Sequence, residues 1–267
     1  MKILLFLILI LISCRKPETS RGQIRVVSLV PSLTEIVYAL RRDNLLVGVT
    51  VYCNYPEDAL KKYKVGDFSN PSLERIVGAR PTIVLLTLPE QTRIKNELEK
   101  LRIKTYNSSP KTIEDIFNDI SSLGQMLNAT ARADSLIDSL RSELNQLRVE
   151  ALTDTPGVFI EISPKPLVTV GNKSYINEMI RWAGAKNIFD DLAVDYPVVA
   201  QEELIRRNPD IIFILHNADP GRRLGWDKIK AFRKKRVFNN LNPDLIFRPG
   251  PRFVEGIKTM HKLIKGD

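Results

Sequence analysis

Two stretches of this chain repeat one another at a fixed distance, and that repetition constrains the fold more than any other feature. Residues 68–86 read FSNPSLERIVGARPTIVLL and residues 196–214 read YPVVAQEELIRRNPDIIFI. At a constant offset of 128, Phe68 falls on Tyr196, Glu74 on Glu202, Ile76 on Leu204, Pro81 on Pro209 and Ile83 on Ile211. Each copy is an aromatic, a loop, a helix that opens with a glutamate, a proline and then a buried strand. Any helix-to-strand unit needs the helix, the breaker and the strand. It does not need the aromatic and the glutamate to keep register as well, so the pattern predicts two similar lobes. A chain of 267 residues is long enough for each lobe to hold roughly 100–130 residues and bury its own core.

The rest of the pattern fits that division. β-Branched runs at Ile24–Val30, Leu46–Val51, Thr82–Thr87, Lys104–Tyr106, Val158–Ile162, Ile211–Leu215 and Arg236–Phe238 read as strands. Helical stretches lie between them, such as Leu33–Leu40, with Ser32 and Glu35 spaced as a capping box. This alternation predicts an α/β fold of two Rossmann-like lobes with largely parallel sheets. From Thr112 to Leu147 the apolar residues recur at helical spacing in two stripes, and Gly124 and Asn128 mark the break between them. The second helix, about 20 residues and roughly 30 Å long, can bridge two lobes. The expected organisation is an N-terminal lobe over 24–124, a bridging helix over 125–150 and a C-terminal lobe over 151–267, with a ligand cleft between the lobes.

The first residues carry a separate message. Ten apolar residues, 3–12, follow the single cation Lys2, too few for a permanent membrane span of about 20 but the size of a signal-peptide core. The run ends in Leu11-Ile12-Ser13-Cys14, which looks like the site at which bacterial lipoproteins are cleaved and lipidated. The expected layout is a signal peptide over 1–13, lipid on Cys14 and a polar tether over 14–23, so that the protein works outside the cytoplasmic membrane, at the periplasm or cell surface. Cys53 is then the one other thiol and is expected to be structural or incidental.

Composition closes off several chemistries. Two cysteines and two histidines leave no multi-Cys metal centre and little for a His-based one. No GxG, GxxxxGK[ST], GxSxG or HExxH occurs, and His216 and His261 read as surface or loop residues, so no catalytic residue, resident cofactor or metal is expected. The formal charge of +9 is concentrated: Arg222–Arg236 holds eight basic residues and one acidic. It therefore marks a solvated local stretch rather than a field for nucleic acid.

What remains is a set of aromatics and arginines on loops after strands, where open α/β sheets bind their ligands. Tyr52 follows the strand Leu46–Val51, while Phe68 and Tyr196 occupy matching positions in the two lobes. Flat rings at a cleft suit a large, partly planar ligand. Near the C-terminus, Asp244 precedes Arg248-Pro-Gly-Pro-Arg252, a stiff turn that fixes two guanidinium groups as donors to ligand oxygens or as anchors for the loop itself.

These residues carry a resemblance. The segments VVSLVPSLTEIVYAL, VGVTVYCNYPEDA, VGDFSNPSLERIVGARPTIVLL, WAGAKNIF and FRPGPRFVEGI resemble the substrate-binding proteins of ABC importers for cobalamin and iron siderophores, the cobalamin-binding members most closely. The resemblance runs from about Ile24 to Ile264. It implies two α/β lobes joined by a rigid helix, a monomer, and a corrinoid bound by Tyr52, Phe68, Tyr196, Asp244 and Arg248. Haem or a ferric siderophore is the alternative ligand, and a corrinoid-salvage factor or enzyme using the same cleft is the alternative role. Thr87 and Val168 stand where cobalamin binders carry further aromatics. The resemblance also implies that Glu74 and Glu202 dock on the importer's permease dimer; by themselves they read as acidic first-turn residues complementing a helix dipole.

Overall fold

The computed structural model describes residues 23–149, 155–216 and 223–266. The expected signal peptide, Cys14 and nearly all of the tether fall outside them, as does Arg222 of the basic stretch. Among the described residues no helix is long and apolar enough to cross a membrane.

The first lobe runs β1 (Val26–Ser28), α1 (Pro31–Ala39), β2 (Leu46–Val49), α2 (Leu73–Gly78), β3 (Ile83–Leu86), α3 (Thr92–Lys100) and β4 (Lys104–Asn107). Its strands pair in parallel in the order β2-β1-β3-β4. Two helices follow, α4 (Ile113–Met126) and α5 (Thr130–Val149). The second lobe runs β5 (Gly157–Glu161), β6 (Ser163–Pro164), β7 (Leu167–Val168), α6 (Tyr175–Trp182), β8 (Lys186–Asn187), α7 (Gln201–Arg207), β9 (Ile211–Ile214), α8 (Lys230–Arg233), β10 (Val237–Phe238), α9 (Pro243–Phe247) and α10 (Phe253–Lys265). Its parallel sheet has the order β10-β9-β5-β8, and β6 and β7 form a small antiparallel ribbon.

Numbered within its own lobe, each sheet has the order 2-1-3-4, so the sequence repeat is a repeat of topology. β3 and β9 begin and end 128 residues apart. Arg80 and Asn208, the same distance apart, both turn left-handed at φ 49°. Each ends its helix, and the proline that follows cannot continue one.

A capping box forms at α4, where Thr112 and Asp115 cap one another reciprocally. The box expected at Ser32 and Glu35 does not form. Pro31 takes the first helical position, its usual place, so Ser32 already lies inside α1 and Val30 is an N-cap without a side-chain bond. The expected bridge over 125–150 is also divided differently. Residues 125 and 126 still belong to α4, and the turn falls at Leu127–Ala129 around Asn128 at φ 55°. Gly124 is not the break but a close approach: a Cβ there would lie 2.4 Å from the Ala133 Cβ on α5.

The lobes share a core. One continuous cluster takes in Val26 and Leu33 of the first lobe, Ile116, Phe117 and Leu140 of α4 and α5, and Met179, Phe253 and Ile257 of the second. Phe117 meets Phe253 edge-on with ring centroids 5.9 Å apart. Each lobe keeps a separate cluster on its outer face. Lobes joined by a broad apolar interface move little relative to one another, so α5 is one strut of a rigid frame.

Candidate ligand-binding cleft

A cavity of about 690 Å³ opens between the lobes, within the usual range for small-molecule sites. The first lobe contributes the segments leaving the carboxyl ends of its strands: Val30–Ser32 after β1, Tyr52 after β2, Thr87–Glu90 after β3 and Ser108–Lys111 after β4, with Phe68 and Ser69 from a separate loop. The second lobe contributes Tyr175, Asp195, Tyr196 and Phe247–Pro249. The wall therefore combines five aromatic rings with a row of serine and threonine hydroxyls.

Each predicted aromatic is held by identifiable contacts. The Phe68 loop starts at Gly66, whose φ of +120° and 2.9 Å approach to the Pro71 Cα leave no room for a side chain. Buried Gln91 donates to the Phe68 carbonyl (2.8 Å) and accepts from the Thr87 amide (3.0 Å), tying two walls together. Tyr52 stands half exposed at the rim, and its carbonyl accepts from Arg248 Nη2 at 3.3 Å. Tyr196, also half exposed, takes a hydrogen bond from Ser174 Oγ to its hydroxyl (3.3 Å). Thr87 lines the cavity and Val168 does not.

Arg248 lines the cavity, and its guanidinium is already engaged. It reaches Glu35 Oε1 (3.1 Å), Asn54 Oδ1 (2.7 Å) and Asp244 Oδ2 (2.8 Å). Asp244 is therefore a partner of Arg248 rather than part of the lining. Arg252 binds the same carboxylate through Nε (2.9 Å) and Nη2 (2.7 Å) and stacks on Tyr55 at 3.6 Å. The hydrogen bond to Glu35 raises the Arg252 pKa further. Glu35 is thus a buried acid clamping the second lobe's arginine turn onto α1, not a helix cap.

A second cross-lobe pair, Lys111 Nζ to Asp195 Oδ2 at 2.5 Å, sits in the cavity wall. Beneath the wall, Ser108 and Tyr106 both donate to buried Asp119, at 2.5 and 2.6 Å. Burial nevertheless raises the Asp119 pKa above its ordinary value.

The two histidines divide: His216 lies in the bend after β9, a loop residue as expected, and His261 does not. His261 is buried on α10 with Nδ1 3.0 Å from the Ala183 carbonyl. His216 Nε2 lies 2.7 Å from Glu161, a fully buried carboxylate at the end of β5 that Arg223 also engages. Cys53 is buried and takes a hydrogen bond from Thr34 Oγ1 at 3.1 Å.

Glu74 and Glu202 lie outside the cavity lining. Each is the second residue of its helix, α2 and α7, each is exposed, and neither makes an ion pair among the described residues.

The periplasmic binding protein model matches residues 26–242. The chain belongs to this family. Among the curated periplasmic binding proteins similar to it, a vitamin B12-binding protein of Vibrio parahaemolyticus is 34% identical over 240 residues, 87% of this chain and 86% of that one. An uncharacterized ABC transporter substrate-binding lipoprotein of Bacillus subtilis is 31% identical over 256 residues, 91% and 80% of the two chains. The periplasmic vitamin B12 binding protein of Vibrio cholerae has the same fold, with a TM-score of 0.78 and 27% identity over 90% of this chain and 96% of that one. Periplasmic binding proteins named for iron and for haem also share the fold, so the choice of ligand falls to the lining of the cleft.

Proposed function

We propose that this periplasmic binding protein is held outside the cytoplasmic membrane by lipid on Cys14, captures a corrinoid between its lobes and delivers it to an ABC importer. The observation that carries the reading is the cleft itself: Tyr52, Phe68 and Tyr196 on its two sides, with hydroxyls of Ser69, Thr87 and Ser109 between them. Aromatic faces stack on a planar macrocycle, and hydroxyls both donate to and accept from peripheral amides. The similarity to proteins named for vitamin B12 supports the same ligand.

Binding and release need no covalent step. Affinity comes from burying a large ligand between walls already in place, which limits the ordering cost. The rigid shared core fits that mode. Glu74 and Glu202, matching acids on matching helices, are proposed to dock on the two halves of the permease.

The test is titration of the full-length protein in detergent with cyanocobalamin, haem and a ferric siderophore, followed by calorimetry. Micromolar or tighter binding of cyanocobalamin alone supports the proposal. Haem or siderophore binding without a cobalamin response overturns the ligand. For the anchor, Cys14→Ser should move the protein from the membrane to the soluble fraction; retention on membranes would defeat that part.

A further inference from the structure

The charges in the cavity wall narrow the ligand further than its shape does. Two cations line the cavity among the described residues, Lys111 and Arg248, and both have carboxylate partners. Arg248 is fixed between Glu35 and Asp244 with its side chain only 11% exposed. Lys111 differs, since its side chain is 57% exposed and its flexible stem could turn toward a ligand. What restrains it is Asp195 from the opposite lobe. Glu90, also in the lining, makes no ion pair among the described residues.

We infer that Asp195 is a specificity residue: by holding Lys111 across the cleft it removes the one adaptable cation from the ligand's reach, so the site selects macrocycles with neutral amide edges over those with carboxylates. This rests on the reading that a macrocycle occupies this cleft. A carboxylate entering it gives up hydration, meets Glu90 and Asp195, and finds no unpaired cation among the described residues, an uncompensated cost. An amide edge in the same place donates to those carboxylates and accepts from the neighbouring hydroxyls. Discrimination of this kind comes from a repulsive element as much as from attractive contacts.

The exposed ion pair contributes little to stability, so its removal leaves a folded protein to measure, checked by an unchanged thermal midpoint. The experiment compares cyanocobalamin with a monocarboxylate derivative in which one peripheral amide has been hydrolysed, on full-length protein in detergent. The wild type should prefer the amide by about tenfold or more. Asp195→Asn, which frees Lys111, should narrow that ratio to about threefold or less. Adding Lys111→Gln should widen it again, though only in part because Glu90 alone is then left to repel the carboxylate, and a merely structural role for Asp195 would not produce that recovery. A wild-type ratio near one, or a ratio unmoved by Asp195→Asn, overturns the inference. If the protein binds haem and not cobalamin, the corrinoid reading fails separately. The charge rule is then decided by haem against its dimethyl ester: preference for the ester upholds it and preference for the free acid refutes it.

Discussion

Removing the Glu35 carboxylate tests whether the lobes are held by a buried clamp. Its side chain is 3% exposed and accepts from Arg248 at 3.1 Å and from Arg252 at 2.9 and 2.7 Å. In Glu35→Ala the two guanidiniums, 11% and 13% exposed, lose that anion. Stranding one member of a buried pair typically costs about 3–5 kcal/mol. Arg248 keeps Asp244 at 2.8 Å and Asn54 at 2.7 Å, so only Arg252, left with its stack on Tyr55, is truly stranded. The expected loss therefore sits at the low end, about 3 kcal/mol. Equilibrium urea unfolding reads it directly, as a shift in midpoint at constant slope. Removing Arg252 as well takes away the stranded charge, so Glu35→Ala/Arg252→Ala should cost less than the sum of the single variants, with a coupling of about 1–3 kcal/mol. A loss under about 1 kcal/mol for Glu35→Ala, or additive single variants, would refute the clamp and return Glu35 to a local role in α1.

Four further outcomes are expected. Tyr52→Ala and Tyr196→Ala should each weaken corrinoid binding by about tenfold or more in calorimetric titration, whereas Val198→Ala, at an exposed position outside the lining, should leave it intact. Glu74→Ala with Glu202→Ala should retain ligand affinity and abolish stimulation of the importer's ATPase in proteoliposomes; lost ligand binding would mean that the cleft is elsewhere. Gly124→Ala should destabilise by about 1–3 kcal/mol, because the new methyl meets Ala133 at 2.4 Å; an unchanged unfolding midpoint would show that α4 and α5 are less tightly joined. Burial raises the Asp119 pKa above its ordinary 3.8, so the folded state binds the proton more tightly and stability is lost as pH rises from 3.8 through the raised value; in Asp119→Asn that decline should vanish from unfolding midpoints taken across pH 4–7.

The elements legible in the sequence are those whose signal is local. Seven strands appear within a few residues of their expected positions; a central parallel strand buried on both faces must be apolar throughout, as Ile211–Ile214 is, whereas the edge strand Lys104–Asn107 is not. Lys186–Asn187 and the ribbon of Ser163–Pro164 with Leu167–Val168 are strands by position alone. Two residues held by a neighbour carry no periodicity. Glu35 was unreadable for a different reason: its partners lie more than 200 residues away, and its spacing from Ser32 imitates a cap. Pro31 was the available warning, since it pushes Ser32 into the helix. His261 also left a trace, falling on the buried stripe of Ile257, Met260 and Ile264. The Lys111–Asp195 pair left none, because neither residue is marked until the lobes are brought together.

The repeat itself acquires a meaning from where it persists and where it breaks. Strand register, the left-handed residues at 80 and 208, and the exposed glutamates at 74 and 202 keep the offset of 128. The walls of the cleft keep it only at Phe68 and Tyr196. Beyond that pair the first lobe offers Ser69, Thr87, Ser108 and Ser109, while the second offers Tyr175, Phe247 and Arg248. Packing rules preserve the strands and helix ends whatever the protein binds, and a helix dipole favours an acid in each first turn without fixing which position it takes. On the proposed docking, a partner built from two equivalent halves does fix it, because each lobe must then present the same group at the same place. A ligand lodged between the lobes imposes the opposite demand, since its two faces and its edge differ. Matching outer acids around an unmatched cleft are what the proposed function asks of two similar lobes: a symmetric partner outside and an asymmetric ligand between.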